Sequence, residues 1–390
     1  MAASPIPLSD VAERWVRAFE RMTGRAAIAG VDGATLLGER AMLGDFRIPA
    51  RISAGGGCRL YEARSGMVAL NLARADDRGL LPALFETDAA FGDDDAVAAQ
   101  IAARDADDLV ARGRMLGLAI AGEVEPGAPP MARTLLAPSR PLPPRARAPR
   151  VLDLSALWAG PLAAHLLGLA DADIIKVESR ARPDAMRDGD AAFFALLNQN
   201  KASVLLDFRD GADRSALCAL IARSDIVIEA ARPRALEQLD IHADALVRTR
   251  PGLTWITITG HGAQGDAAHW IGFGDDCGVA AGLTAAVRRA GGRAGFVGDA
   301  IADPLTGIVA AGVAWDAWAS GRGGRWGIAM SGVVAEAMAI ARRAGGFDAA
   351  LAGWAAAAGT PFPPVRSRAV SRVSRIGADT RRCLAGSARC

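Results

Sequence analysis

VLDLSALWAGPLAAHLLGLADADIIKVE, residues Val151 to Glu178, decides the fold. It opens on a strand-like run, RVLDLS from Arg150. It continues through a small-residue helical stretch, GPLAAHLLGLA, and closes on a second strand-like run, DIIKVE. Strand, helix, strand is the unit of a parallel sheet, because parallel neighbours need a crossover between them. Further strand-like runs follow: SVLLDF, DIVIEA and LTWITIT. Between them lie the helical stretches GADRSALCALIARS and RALEQLDIHADALVRT. The spacing predicts an α/β fold, a doubly wound parallel sheet with helices on both faces. In such sheets ligands bind beyond the carboxyl ends of the strands, so informative residues are expected just after each one.

Downstream, Pro304 to Trp318 reads as a helix closed by the turn GRGG, Gly321 to Gly324. The tail from about Ala341 is Ala- and Arg-rich and carries no local signal. Upstream, EPGAPPMARTLLAPSRPLPPRARAPR (Glu125 to Arg150) is expected to be a proline-rich linker. The expected division is a small α+β domain with a glycine loop over residues 1–124, the linker over 125–150, and the large domain with its tail over 151–390. Within the first part, Cys58 to Arg74 reads as two strands around a turn at Ser65-Gly66. Asp94 to Ala119 reads as two short helices, the second capped by Asp105 or Asp107.

Composition bounds the function. The 390 residues are 51% hydrophobic and 23% charged, which fits a globular chain long enough for two domains. Lys+Arg at 45 against Asp+Glu at 43 gives no argument for nucleic acid, although local basic residues can still hold a small anion. No apolar run approaches the roughly 20 residues of a membrane span, and the first residues do not read as a signal peptide. Cys58, Cys218, Cys277, Cys383 and Cys390 are odd in number and scattered, so a reducing, cytoplasmic setting is expected.

Local motifs leave several readings open. GHGAQG, Gly260 to Gly265, matches a dinucleotide pattern, but the following DAAHWIGFGDDCG is too broken for the helix such a site needs. His165, His242, His261 and His269 are isolated, and no cysteine pair has ligand spacing, so no metal is expected. AGGGC, Ala54 to Cys58, reads either as a flexible turn or as a loop whose bare backbone approaches a ligand. VGDAIADPLTG, Val297 to Gly307, holds two acids. Asp303 precedes a proline and reads locally as a helix cap, with Asp299 a loop acid beside it.

Collinear motifs give these pieces a family. Val151 to Glu178 resembles the opening of the family III CoA transferases, the superfamily that includes formyl-CoA and carnitine CoA-transferases and α-methylacyl-CoA racemases. NQNKASVLLDFRDGAD, DIVIEAARPRALEQL and ITGHGAQGDAAHWIGFGDD continue the match in order. VGDAIADPLTGIVAAGVAWDAWASGRGG resembles the catalytic segment, and RIGADTRRCLAG the family's C-terminal end. The resemblance implies a Rossmann-like, CoA-binding large domain. It also implies a permuted order, since the segment resembling the small domain, Ser53 to Gly122, stands first instead of as an insertion.

The resemblance assigns roles. The family's catalytic aspartate has a glycine four residues on; Asp303 has Gly307 there, so Asp303 is the expected nucleophile, with Asp299 the competing choice. Gly55, Gly56 and Gly57 match the family's mobile glycine loop and are expected to offer backbone donors. Trp158 and Ala159 would line the adenine or pantetheine path. Arg180, Arg209, Arg232 and Lys201 are the candidates for CoA phosphates, Arg209 matching the family's basic position. The implied activity is an acyl-CoA:carboxylate CoA-transferase with no permanently bound cofactor, whose partners are an acyl-CoA and a carboxylic acid, in a homodimer, interlocked as in the family. A carboxylate with a reference pKa near 3.9 is expected to be ionised at neutral pH without a base. The racemase alternative is disfavoured because Phe273 stands where racemases place histidine; Gly274 stands where some transferases have an acid. A CoA-binding protein with little turnover is the other alternative.

Overall fold

The computed structural model describes residues 5–125, 127, 129–145, 147–231 and 233–385. Arg232, one of the phosphate candidates, lies outside them.

A small antiparallel sheet comes first: β1 (Cys58–Ala63), β2 (Gly66–Asn71) and β3 (Ala119–Gly122), in the order β1-β2-β3. The expected hairpin is present, and Gly66, at φ 146°, makes the turn a side chain would resist. Alternation along the strands divides two faces. Tyr61, Ala63, Val68 and Leu70 pack on the sheet's own helices, Asp94–Ala102 and Ala106–Leu116. Cys58, Leu60, Met67 and Ala69 face the other way, against Val279 and Phe296 of the large domain. Asp105 caps the second helix, as its sequence indicates, accepting the Asp107 N–H at 3.2 Å.

The large sheet has seven strands: β4 (Arg133–Ala137), β5 (Arg150–Asp153), β6 (Asp173–Ser179), β7 (Ala202–Leu206), β8 (Ile226–Glu229), β9 (Thr254–Thr259) and β10 (Gly324–Ala329). Their order is β4-β10-β9-β8-β5-β6-β7. All pairs are parallel except β4 with β10. The order reverses between β5 and β8, so their carboxyl ends open the crevice where doubly wound sheets bind ligands.

Two strands escape a reading by pattern. β4 lies within the proline-rich stretch; prolines flank it but none interrupts residues 131–137, so its N–H groups remain free to pair with β10. β10 carries two glycines, which weaken its β signal, and is fixed by β9 on one side and β4 on the other.

Helix Ala302–Ala319 runs through the centre and is buried along most of its surface. The N-terminal helices Ser9–Thr23 and Gly33–Leu43 join the same core: Phe19 meets the Trp315 ring edge-on at 6.4 Å, and Trp315 Nε1 donates to Met22 O at 3.3 Å. A division at 124/125 groups these helices with the small sheet, but their apolar faces are buried in the large core. The tail returns to cover the edge of β7. Asp379 accepts the Ser203 N–H at 3.0 Å and Thr380 Oγ1 the Leu205 N–H at 3.0 Å, which blunts an otherwise open strand edge. Among the described residues no helix is long and apolar enough to cross a membrane.

Candidate active site

The helix carrying Asp303 starts at Ala302, with Ile301 in the capping position and no side-chain cap. Asp303 therefore stands inside the first turn and is not the cap its aspartate-proline context suggests. Pro304 is tolerated third in the helix because the first N–H groups have no intrahelical partner.

The Asp303 carboxyl reaches sideways. Its Oδ1 accepts the Ala159 N–H at 3.3 Å, and the Gly274 N–H also donates to it. Ala159 opens helix Ala159–Leu169, and Gly274 opens helix Gly274–Ala280. Three helix starts thus converge on one carboxyl, an arrangement that favours negative charge. Two glycines make it sterically possible. A Cβ at Gly307 would lie 2.9 Å from Ala159 O and 2.8 Å from the Leu162 side chain, so the glycine four residues after Asp303 lets the neighbouring helix start come close. A Cβ at Gly274 would overlap both Ala300 O and Asp303 Oδ2. The absence of an acid at 274 is thus a steric requirement of this site.

Asp299 differs. It is 0% exposed; its Oδ1 accepts from Arg40 Nη1 at 3.1 Å, while its Oδ2 is buried without a hydrogen-bond partner. Asp303 is half-buried and retains open surface. Asp275, also half-buried, accepts the Ala300 N–H at 3.0 Å and bonds the Ser53 side chain. Asp276 is sealed, accepting from Phe273 N–H at 3.0 Å and Asn71 Nδ2 at 3.1 Å.

Burial dominates the ionisation of this cluster. It pushes Asp303 up to about 7, opposed by Arg40 and by the Ala159 and Gly274 N–H groups, with Asp275 adding repulsion. Burial likewise pushes Asp299 up to about 7, against Arg40, and Asp276 up to about 8, against the Phe273 N–H and Asn71. Asp275 is raised by burial and held back by Arg40. An aspartate ionised at neutral pH without help, as its reference value suggests, is not what this interior provides.

The glycine loop folds as a tight turn. Gly56 N–H donates to Ser53 O at 2.8 Å, and Gly56 has φ 78°. Gly55 and Gly56 are exposed, and Gly57 packs near Asn71 and Ala73. A Cβ at Gly55 would lie 2.5 Å from Arg40 Nη2, so the loop sits against the same guanidinium that holds Asp299.

A cleft of about 170 Å³ opens where the strand order reverses, lined among others by Leu154, Ser155, Val177, Ser179, Phe208 and Ala231. The loop after β5 leads from Ser155 on its wall to Ala159 on Asp303. Arg182 lines this cleft. Arg180 follows β6 and Arg209 follows β7, both exposed. Lys201 is 4% exposed and points inward: Nζ donates to Asp153 at 2.8 Å, Pro161 O at 2.9 Å and Asn198 Oδ1 at 3.1 Å, which uses all three of its donors. Trp158, 2% exposed, meets Phe193 edge-on at 4.8 Å and lies under Arg40, with its Nε1 unpartnered.

The GHGAQG loop runs into a short 3-10 turn, Gly265–His269, and Gly260 packs on the Gly272 backbone. His261, Asp276 and Cys277 bring one ligand atom each within 4.8 Å of one another, all buried. Burial first, then Arg114, pushes His261 down to about 3, and that nearby cation opposes a second one. Sequence reading passed over Arg40, whose partner Asp299 lies 259 residues away; no periodicity or motif in GERAML marks it.

Residues 149–343, half of the chain, match CoA-transferase family III. A succinyl-CoA–D-citramalate CoA-transferase of Chloroflexus aurantiacus is 33% identical over 132 residues, 32% of this chain and 33% of that protein. A formyl-CoA:oxalate CoA-transferase of Streptomyces coelicolor is 31% identical over 119 residues, 29% of each chain. The matched stretch thus spans about a third of these curated relatives. A CAIB/BAIF family protein from Brucella suis aligns over 52% of this chain and 57% of its own, at 24% identity and a TM-score of 0.47.

Proposed function

Because the chain belongs to CoA-transferase family III, we propose that it moves CoA from an acyl-CoA to a carboxylic acid, with Asp303 as the nucleophile. The observation that carries this reading is the presentation of Asp303. The residue keeps some exposure where Asp299 has none, and its carboxyl is held by backbone N–H groups at two helix starts and joined by one short loop to the cleft at the strand-order reversal. Asp299 is sealed and committed to Arg40, so it cannot meet a thioester without breaking a buried ion pair.

In the proposed cycle an Asp303 oxygen attacks the thioester carbonyl and the CoA thiolate leaves, forming a mixed anhydride. The thiolate then attacks the aspartyl carbonyl, the acyl group departs as a carboxylate, and Asp303 is left as its CoA thioester. An incoming carboxylate reverses the two steps and leaves as the new acyl-CoA. Each hard exchange is split into two easier ones. Oxyanions form at each attack, and fixed backbone donors stabilise them by roughly 2.7–4 kcal/mol each. The turn Gly55 to Gly57, which lies against Arg40, is proposed to offer further donors.

CoA is proposed to lie with its nucleotide in the cleft between β5 and β8 and its phosphates toward Arg180, Arg182 and Arg209, which match phosphate geometry in pairs of N–H donors. Lys201 has no donor left for this task, and Trp158 shapes the pantetheine path from below. The expected assembly is a homodimer in the cytoplasm. The test is a panel of acyl-CoAs and acids with the wild type and the Asp303→Asn and Asp299→Asn variants, combined with intact-mass detection of an Asp303–CoA adduct. Turnover in Asp303→Asn with loss in Asp299→Asn would overturn the assignment.

A further inference from the structure

We infer that Arg40, carried by helix Gly33–Leu43, is a positioning residue for the nucleophile: it pins Asp299 beside the start of the catalytic helix and supplies the cation that three converging carboxyl groups share. The inference rests on the reading of Asp303 as nucleophile, and it adds to that site a residue from the far N-terminal side of the chain.

Geometry fixes Arg40 on three sides. Its guanidinium lies 5.4 Å from the Trp158 ring and 5.6 Å from the Phe46 ring. Nη1 donates to Asp299 Oδ1 at 3.1 Å, and Nη2 faces the bare backbone of Gly55. The helix itself is anchored one residue earlier, where Arg368 forms a two-pronged pair with Glu39 at 2.6 and 2.7 Å. Arg40 is therefore held in place and touches, at once, the glycine loop, the base of the CoA path and the acid beside Asp303.

The charges around it do not balance. Asp275, Asp299 and Asp303 all lie within its field. Asp276 and the thiols of Cys58 and Cys277 stand behind them, and these carry no positive charge. One guanidinium faces three carboxyls, and of these it hydrogen-bonds only Asp299. The unpartnered Oδ2 of Asp299 is the structural mark of that shortage. Losing the cation would drive protons onto the cluster; losing Asp299 would remove a like charge from Asp303 and free the guanidinium for it.

The experiment measures the pH dependence of kcat/KM, whose acidic limb reports ionisation in the free enzyme, for the wild type and for Arg40→Met, Arg40→Lys and Asp299→Asn. The limb should rise by about one pH unit in Arg40→Met, stay near the wild type in Arg40→Lys and fall in Asp299→Asn. In parallel, carbon-13 NMR titration of labelled aspartate carboxyls, with the Asp303 signal assigned by its loss in Asp303→Asn, reads the same shift without turnover. An Arg40→Met variant that loses rate evenly at every pH, with an unmoved Asp303 titration, overturns the inference and leaves a purely structural arginine. Should Arg40→Met fail to fold, a lowered Asp303 midpoint in Asp299→Asn with an unmoved one in Arg40→Lys supports it; an Asp303 midpoint unmoved in Asp299→Asn overturns it. A wild type that forms no CoA adduct defeats the nucleophile reading alone, because the titration still reports on Arg40.

Discussion

Two groups of charges in the interior of this protein are built differently. Beneath the carboxyl ends of β5 to β7, Asp153 pairs with Lys201 at 2.8 Å and Asp184 with Lys176 at 2.9 Å. Lys176 also donates to Ser155 O at 2.9 Å, and Asp153 accepts the Ser155 N–H at 3.0 Å. Two anions face two cations. Burial acts on Asp153, but Lys201 and Lys176 outweigh it and hold the carboxyl below its usual range. Around Asp303 three acids face one arginine, and burial wins. The paired cluster forms a support under the proposed CoA path, although burial pushes Lys201 down to about 8. Unbalanced burial leaves a carboxyl poised near neutrality, which is where a nucleophile that must cycle between charge and covalent bond is useful.

The strongest way to break this comparison is Asp303→Asn. It should lower transfer roughly a thousandfold or more and abolish the CoA adduct, with the fold retained, because a group that forms the covalent intermediate has no substitute. Mass spectrometry and steady-state kinetics read both. Next comes Lys201→Met, which strands Asp153 in the interior. Breaking a buried pair costs about 3–5 kcal/mol, so denaturant unfolding should show a large loss, with the folded fraction still turning over at a near-normal KM. A raised KM for CoA at unchanged stability would instead move Lys201 from support to ligand. Gly274→Ala sharpens the other half: its methyl meets Ala300 O and Asp303 Oδ2, and overpacking of this kind costs about 1–3 kcal/mol. It should lower kcat more than it lowers the melting temperature.

The smallest effect is on stability against pH. Asp276, Asp299 and Asp303 have folded values raised from 3.8 to about 8, 7 and 7. Groups raised on folding contribute stability that is fully present below the unfolded value and lost as pH rises through the folded one. The protein should thus lose stability between about pH 4 and 8, from the unfolded value of these carboxyls up to their folded ones, while activity, which needs ionised Asp303, increases across the upper part of that range. Asp276→Asn should make that fall shallower between about pH 4 and 8, and thermal melts across pH measure it.

Much of the fold is legible in short stretches. β5, β6, β7, β8 and β9 announce themselves because they are short runs rich in apolar and β-branched residues, separated by helical runs. β4 and β10 do not, since an edge strand between prolines and a strand with two glycines acquire their structure from their partners. At the site, the Asp303 to Gly307 spacing is legible, and its steric cause lies in the start of helix Ala159–Leu169. Gly274, which looks like a lost acid, turns out to be a clearance for Asp303.

By itself, then, the sequence determined the parallel α/β architecture and the arginines after the strands, because each of these depends on residues close together in the chain, while Asp303 as candidate nucleophile came from the resemblance to a family. The tertiary structure alone decided which acids share a cation, which lysine is spent inside, and that the N-terminal helices belong to the large core. Those outcomes depend on Coulomb attraction, desolvation and steric clearance between segments hundreds of residues apart, as between Arg40 and Asp299, and such distances leave no trace in local pattern.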